Sequence, residues 1–441
     1  MARKKQLPRD ARIAVTELDA QGCGRGRGEG MEVRVWGALP GETASVRVLK
    51  RRRNQLEAIA ETVAGAHPDR IDAACPYSAR CGGCALQHLA PPAQRDFKRR
   101  RLQQLLVEAG AGTPARWLSD LAGPGTGYRR KARLGVRCVP AKGGVLVGFR
   151  ERGSSRVAEV AACRTLAPEI GTMLAPLRRM VAQLSVAHAV PQLEIAVGDD
   201  GAVIVMRHLE PLTPDDEAVL RNAGERLGFR PWLQSGGPAT VRPLDADAPR
   251  RLHYALPAFG LRMAFHPLDF TQVNAAVNRS MIEAALELLA PEPDDHVLDL
   301  FCGLGNFTLP LASRCKEVHG VEGSEALVAR ARENAAANGI DGARFEVADL
   351  YGPDLDVTSL PRAERLLLDP PRSGAERICS HMSALAPRRI VYVSCNPETL
   401  ARDAALLCGA GYAFSAAGII DMFPHTAHVE SMAVFDRLAG S

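Results

Sequence analysis

An open α/β sheet near the C-terminus, preceded by a small β-barrel and a mixed α+β region, is the fold class this sequence predicts. Three observations predict it. From about residue 276 onward, apolar runs alternate with helical periods, as in βαβ units around a parallel sheet. Between about residues 11 and 64, short alternating runs are broken by Gly and Pro, the pattern of a small barrel. A length of 441 residues exceeds what one core supports, so two or three domains are expected.

Hydrophobic content of 46% with 24% charge is that of an ordinary globular chain and excludes a disordered one. No apolar run reaches bilayer-spanning length, and the start "MARKKQLPRD" lacks the apolar region of a leader, so a cytoplasmic setting without membrane contact is expected. The net charge of +5 conceals an asymmetry. Residues 1–150 carry 28 Lys and Arg against 13 Asp and Glu, whereas the rest carry 27 against 37. A basic half joined to an acidic one points to a polyanionic partner, held through phosphate contacts by "LKRRRNQ", "FKRRRLQQ" and their surroundings. The basic turns of the barrel favour nucleic-acid binding over a purely structural role.

The middle region, about 67–255, opens with "CPYSARCGGC", which sets Cys75, Cys81 and Cys84 in a C-x5-C-x2-C array. Eleven cysteines in a reducing compartment argue for ligands or thiols, not for a disulfide framework. Cys163 is the candidate fourth ligand, and four thiolates suit either tetrahedral zinc or a four-iron cluster. A basic helix follows near 93–109. "GYRRKARLGVR" then reads as a strand, and "QLEIAVGDDGAVIVMRH" as a hairpin turning at "GDDG".

In the C-terminal region "HVLDLFCGLGNFTLPLA" reads as a strand ending at Asp299, a turn whose Gly303 and Gly305 admit a ligand, and a helix start. Further strands end at Glu322, Asp349 and Asp369, and "RRIVYVSCNPETL" ends at Cys395. Carboxyl ends of parallel strands are where open α/β sheets bind ligands. A dinucleotide would want G-x-G-x-x-G and no surrounding carboxylates. Carboxylates suit ribose hydroxyls and positive charge, which describes S-adenosylmethionine.

"DLFCGLGNF", "LLLDPPRSG", "VYVSCNPETL" and "DMFPHTAHVES" resemble the four motifs of the RNA uracil-5-methyltransferases. "FTQVN" and "YRRKARLGVR" extend the resemblance upstream, so it covers nearly the whole chain. Within that family the chain is most similar to the bacterial 23S ribosomal RNA enzymes, which carry an N-terminal TRAM barrel and a four-iron cluster. "ALPGE" resembles the barrel, and "CPYSARCGGCALQH" with Cys163 resembles the cluster ligands.

The resemblance implies a TRAM (OB-like) RNA-binding barrel at 1–66 and a central α+β iron–sulfur domain at 67–255. A Rossmann-like S-adenosylmethionine-dependent methyltransferase domain follows at 256–441. It implies a 4Fe-4S cluster on Cys75, Cys81, Cys84 and Cys163, with a structural or RNA-positioning role. It also implies that Gln272, Phe301 (through its backbone), Asn306, Glu322, Asp349 and Asp369 contact S-adenosylmethionine. Cys395 becomes the nucleophile that adds to uracil carbon 6, and Glu430 the base that removes the carbon 5 proton. The target base is expected to flip out of 23S ribosomal RNA, and a monomer is the default. The alternatives are a transfer-RNA uracil-5-methyltransferase and an inactive RNA-binding iron–sulfur protein. The former lacks the cysteine array and barrel, and intact Cys395 and Glu430 speak against the latter.

Overall fold

The computed structural model describes residues 11–52, 54–139, 144–352 and 355–439. The basic start, residues 1–10, lies outside the described residues. Five strands, β1 (Arg12–Leu18), β2 (Gly24–Gly28), β3 (Met31–Trp36), β4 (Thr43–Arg52) and β5 (Gln55–Ala64), close into a barrel of order β1-β2-β3-β5-β4. The period-2 pattern drives this. Ile13, Val15, Val33, Val35, Val46 and Leu56 point inward and form one core, while the intervening charged residues face outward. β3 and β5 run parallel and the other neighbours antiparallel, as in an OB-type barrel.

After the cysteine segment comes helix α1 (Pro91–Glu108), then the two-residue strand β6 (Arg116–Trp117). The basic helix read near 93–109 is α1. The buried face of α1 is Gln94, Lys98, Leu102 and Leu106, a strict four-residue spacing. Through Leu102 and Leu106 the helix joins the core of the C-terminal sheet, and it packs against helix Pro397–Gly409.

A six-stranded sheet follows, built from β7 (Lys131–Val139), β8 (Gly144–Gly148), β9 (Gln192–Gly198), β10 (Gly201–Arg207), β11 (Phe229–Gln234) and β12 (Arg242–Pro243). Its order is β12-β11-β10-β9-β7-β8, and β9 and β10 form the expected hairpin with Gly198 opposite Gly201. A two-stranded ribbon, β13 (Leu252–Leu256) and β14 (Leu261–Phe265), leads into the last sheet.

That sheet contains β15 (His296–Leu300), β16 (Glu317–Glu322), β17 (Ala343–Val347), β18 (Arg365–Leu368), β19 (Arg389–Ser394), β20 (Tyr412–Ile420) and β21 (Glu430–Arg437). Its order is β17-β16-β15-β18-β19-β21-β20-β6. β15 to β19 are parallel, and β21 enters antiparallel between β19 and β20. Both faces are covered, which is why these strands are continuous apolar runs. Helix Ala275–Leu289 lies over one face, and α1 with helix Pro397–Gly409 over the other. β6 completes the edge beside β20, where Gly418 makes room: a Cβ there would lie 2.7 Å from Leu118 Cβ.

One expectation is corrected. Asp299 does not end its strand. It lies within β15 with no exposure, its Oδ2 accepting a 2.6 Å hydrogen bond from Thr308 Oγ1. It therefore braces the following turn from below, and three carboxylates instead of four are presented at strand ends.

Candidate active site

A cavity of about 530 Å³ opens over the carboxyl ends of β15 to β19. Glu322, the last residue of β16, accepts hydrogen bonds from the N–H groups of Gly303 (3.2 Å) and Ser324 (2.9 Å). These bonds tie the acid to the glycine turn after β15. Gly303, with φ of +57°, has no atom within 4 Å of where a Cβ would sit, so its face stays open to the cavity. Asp349, just beyond β17, accepts from Tyr351 N–H at 3.0 Å. Phe301 holds φ of +67° and stacks obliquely on Tyr351, centroids 5.5 Å apart.

On the far wall Asn306 exchanges hydrogen bonds with Asn278 at 3.0 and 3.1 Å and accepts one from Tyr254 Oη at 2.8 Å. Gln272 lies beside it on the segment before helix Ala275–Leu289. That segment is held by Lys131, whose Nζ donates to the Asp269 carbonyl. Burial brings the Lys131 ammonium down to about 8.

Asp369 leaves β18 into Pro370 and Pro371, and Cys395 leaves β19 into Asn396 and Pro397. Asn396 caps helix Pro397–Gly409 and donates through Nδ2 to the Arg372 carbonyl at 2.9 Å, joining the two loops. Glu430 begins β21, directly opposite Ile420, and is 5% exposed. All eight residues singled out for catalysis or donor binding thus line one cavity.

The electrostatics of this corner are coupled. Burial, then the Asp369 charge, pushes the Glu430 carboxyl up to about 8, against the opposing pull of Lys98 and Arg372. Burial also lifts Asp369 to about 7. Burial, then the Glu430 and Asp369 charges, pushes the Cys395 thiol up to about 11, with Arg372 opposing. A thiol raised this far is neutral near pH 7.

The family model described as "tRNA (Uracil-5-)-methyltransferase" matches residues 259–438. The "23S rRNA (uracil(1939)-C(5))-methyltransferase RlmD" of Bordetella bronchiseptica is 49% identical over 97% of this chain and 93% of its own length. The enzyme of the same name from Alkalilimnicola ehrlichii is 49% identical over 99% of both. This chain belongs to the RlmD family. Among solved structures, the tRNA (uracil-54, C5)-methyltransferase of Pyrococcus abyssi, in complex with S-adenosyl-L-homocysteine, superposes with a TM-score of 0.73. It covers 96% of this chain at 23% identity, a likeness of fold.

Cys75, Cys81, Cys84 and Cys163 line a second, small cavity together with Tyr77, Phe149 and Val160. Among the described residues, no group of three or more His, Cys, Asp or Glu is drawn together closely enough to hold a metal ion. Burial raises the Cys81 thiol, and Cys84 to about 11. Arg152 gathers this loop: its Nη2 donates to the carbonyls of Ser78 (2.9 Å), Cys81 (3.2 Å) and Cys84 (2.5 Å). Its guanidinium lies 4.6 Å from the Trp36 ring centroid of the barrel.

Sequence reasoning did not single out Arg372, Tyr351, Tyr254 or Lys98. Lys98 lay in "FKRRRLQQ", read as a polyanion signal, yet it has no exposure at all. The spacing of four from Lys98 to Leu102 and Leu106 placed it on the buried face of α1 and was the available signal.

Proposed function

We propose that this chain methylates carbon 5 of a uridine in 23S ribosomal RNA, with S-adenosyl-L-methionine as donor. The observation that carries the reading is that Cys395, Glu430 and Asp369 line the same cavity as Glu322, Asp349 and Asn306. Family membership supports it. Glu322 and Asp349 serve the ribose and adenine end, Phe301 acts through its backbone, and Gln272, Asn306 and Asp369 hold the charged end of the donor.

Uracil carbon 5 is a weak nucleophile. Cys395 Sγ adds to carbon 6 as a thiolate, and the electron pair of the ring double bond moves toward the carbon 4 oxygen as an enolate. The donor supplies an electrophilic methyl group on a sulfonium and leaves as a neutral thioether. Glu430 then takes the carbon 5 proton, the carbon 6–sulfur bond breaks, and the thiolate is regenerated. Arg372 opposes the upward push on the thiol, and a cationic donor in the same cavity would favour the thiolate further. The two prolines after Asp369 stiffen the loop that orients both reactants. A uracil stacked in RNA cannot reach Cys395, so the base is flipped out.

In this reading residues 1–66 form the TRAM-like barrel that grips RNA, 67–255 the central domain, and 256–441 the catalytic domain of a cytoplasmic monomer. Cys75, Cys81, Cys84 and Cys163 line one cavity and are the residues that would hold a 4Fe-4S cluster, whose binding would draw their thiols together. A cluster bound there would cross-link the loop. Anaerobically purified protein should contain about four irons per chain and absorb near 400 nm. Cys84→Ser should lose both.

The test of the whole uses unmodified 23S RNA tritiated at uridine carbon 5. Tritium release by the wild type and none by Cys395→Ala supports the reading. Release from transfer RNA alone would move the substrate, and release from neither would end the proposal.

A further inference from the structure

Glu430 stands at the foot of a hairpin loop, residues 421–429, that joins the paired ends of β20 and β21. Little in that loop is free. Asp421 N–H donates to Leu121 O at 2.7 Å, and Thr426 Oγ1 to Phe423 O at 2.9 Å. Tyr128 Oη donates to Pro424 O at 3.1 Å, and the N–H groups of Ala85 and Leu86 both donate to His425 O at 2.9 Å. His425 N–H donates to Gln94 Oε1 at 2.8 Å. The innermost tie is ionic: Lys98 Nζ donates to Asp421 Oδ1 at 2.6 Å and to Phe423 O at 3.0 Å.

We propose that Lys98, on α1 and outside every recognised motif, is a positioning residue for the general base. Its buried ammonium pins both ends of the Asp421–Phe423 turn, which directly follows Ile420, the strand partner of Glu430. The proposal rests on Glu430 being the base. A surface ion pair would not pin the turn, but this one has no exposure on Lys98 and 5% on Asp421. A buried lysine is costly unless it is paired and needed.

The charged and titratable groups around Glu430 are Asp369 and Arg372 after β18, Cys395 after β19, and Lys98 from α1 with its ion-pair partner Asp421. His428, in the same loop, contacts Arg372 at 3.4 Å and lines the same cavity. Of these, Lys98 and Arg372 favour the Glu430 carboxylate, the form that accepts a proton. Arg372 stands in the cavity where reactants bind, whereas Lys98 is sealed behind the loop. Lys98 therefore acts on the base without touching RNA or donor.

The double variant Lys98→Met/Asp421→Asn removes both charges and leaves neither partner buried and unpaired. Its thermal unfolding is compared with the wild type, and turnover is measured from pH 6 to pH 10 on tritiated RNA. We expect a folded protein, unchanged KM for RNA and donor, and kcat about tenfold lower than wild type at pH 7, converging on it by pH 10. An equal loss at every pH, or an acid limb that stays in place, would overturn the proposal, since a merely structural role gives that result. Glu430→Gln separates the two levels. Loss of turnover there with an unmoved limb in the double variant overturns the role of Lys98 alone. Retained turnover in Glu430→Gln removes the base, and the Lys98 proposal with it.

Discussion

Removing the proposed base, Glu430, should make the proposed nucleophile, Cys395, more reactive. Cys395 sits near 11 through burial first and the charges of Glu430 and Asp369 second. Glu430→Gln deletes one of those charges, and a neighbouring like charge is worth about one pKa unit or more. At pH 9, where the wild-type carboxyl near 8 is ionised, the thiolate fraction should rise from about 1% to about 10%. A less basic thiolate is intrinsically slower, which removes roughly half of that gain on a logarithmic scale. The net expectation is about a threefold faster alkylation of Cys395. The assay follows iodoacetamide labelling of the Cys395 peptide by mass spectrometry, with exposed Cys138 as internal reference. Turnover should meanwhile fall by a factor of about 100 or more. Labelling that is slower or unchanged, with Cys138 steady, would refute the coupling between the two groups.

Three further expectations concern stability. Arg70→Met strands the Glu42 carboxylate, which has no side-chain exposure and is bound by Arg70 Nε and Nη2 at 2.5 and 2.6 Å, and should cost about 3 kcal/mol in chemical denaturation. Burial alone would raise Glu42, but the hydrogen bonds from Arg70, His67 and Leu39 outweigh it and hold the carboxyl low. The wild-type advantage should thus be full at neutral pH and shrink as pH falls below about 4. Asp299→Asn should act in the opposite sense. Burial lifts Asp299 to about 7, so its ionisation in the folded state is penalised progressively above its ordinary range. The variant should gain on the order of 2–4 kcal/mol at pH 8 and nothing at pH 4, read by thermal melts at both. Gly374→Ala forces a Cβ to within 2.6 Å of Asp403 Oδ2 at a φ of +77°. It should cost about 1–3 kcal/mol in melts and lower kcat by shifting the Asp369–Arg372 loop.

The parallel part of the fold was legible because its chemistry is local: each βα unit ends in a residue whose type announces a ligand, as Glu322 and Cys395 do. Asp299 was misplaced by one position because a strand end is not sharply marked when the residue after the acid, Leu300, is as apolar as Leu298 before it. Long-range pairing left no such mark. Nothing in "ARWLSD" announces that Arg116 and Trp117 will pair with Ala416 and Ala417. Lys98 was hidden for another reason: in a run of four cations, composition outweighs the phase of the helix that buries one of them.

The place of β21 has a consequence for how the protein comes into being. This strand is made after every other described element, yet it lies inside the sheet, flanked by β19 and β20, and its first residue is Glu430. Chains emerge from the ribosome N-terminus first, and contacts of long sequence separation form late. The loop before β21 must then meet anchors made more than 300 residues earlier, on Ala85, Gln94 and Lys98. A nascent chain can carry a formed barrel and a formed cysteine segment while its sheet still has a gap. Insertion of the last strand therefore delivers Glu430 to the cavity in one late step, and a chain truncated before β21 should lack that carboxylate and a central strand together.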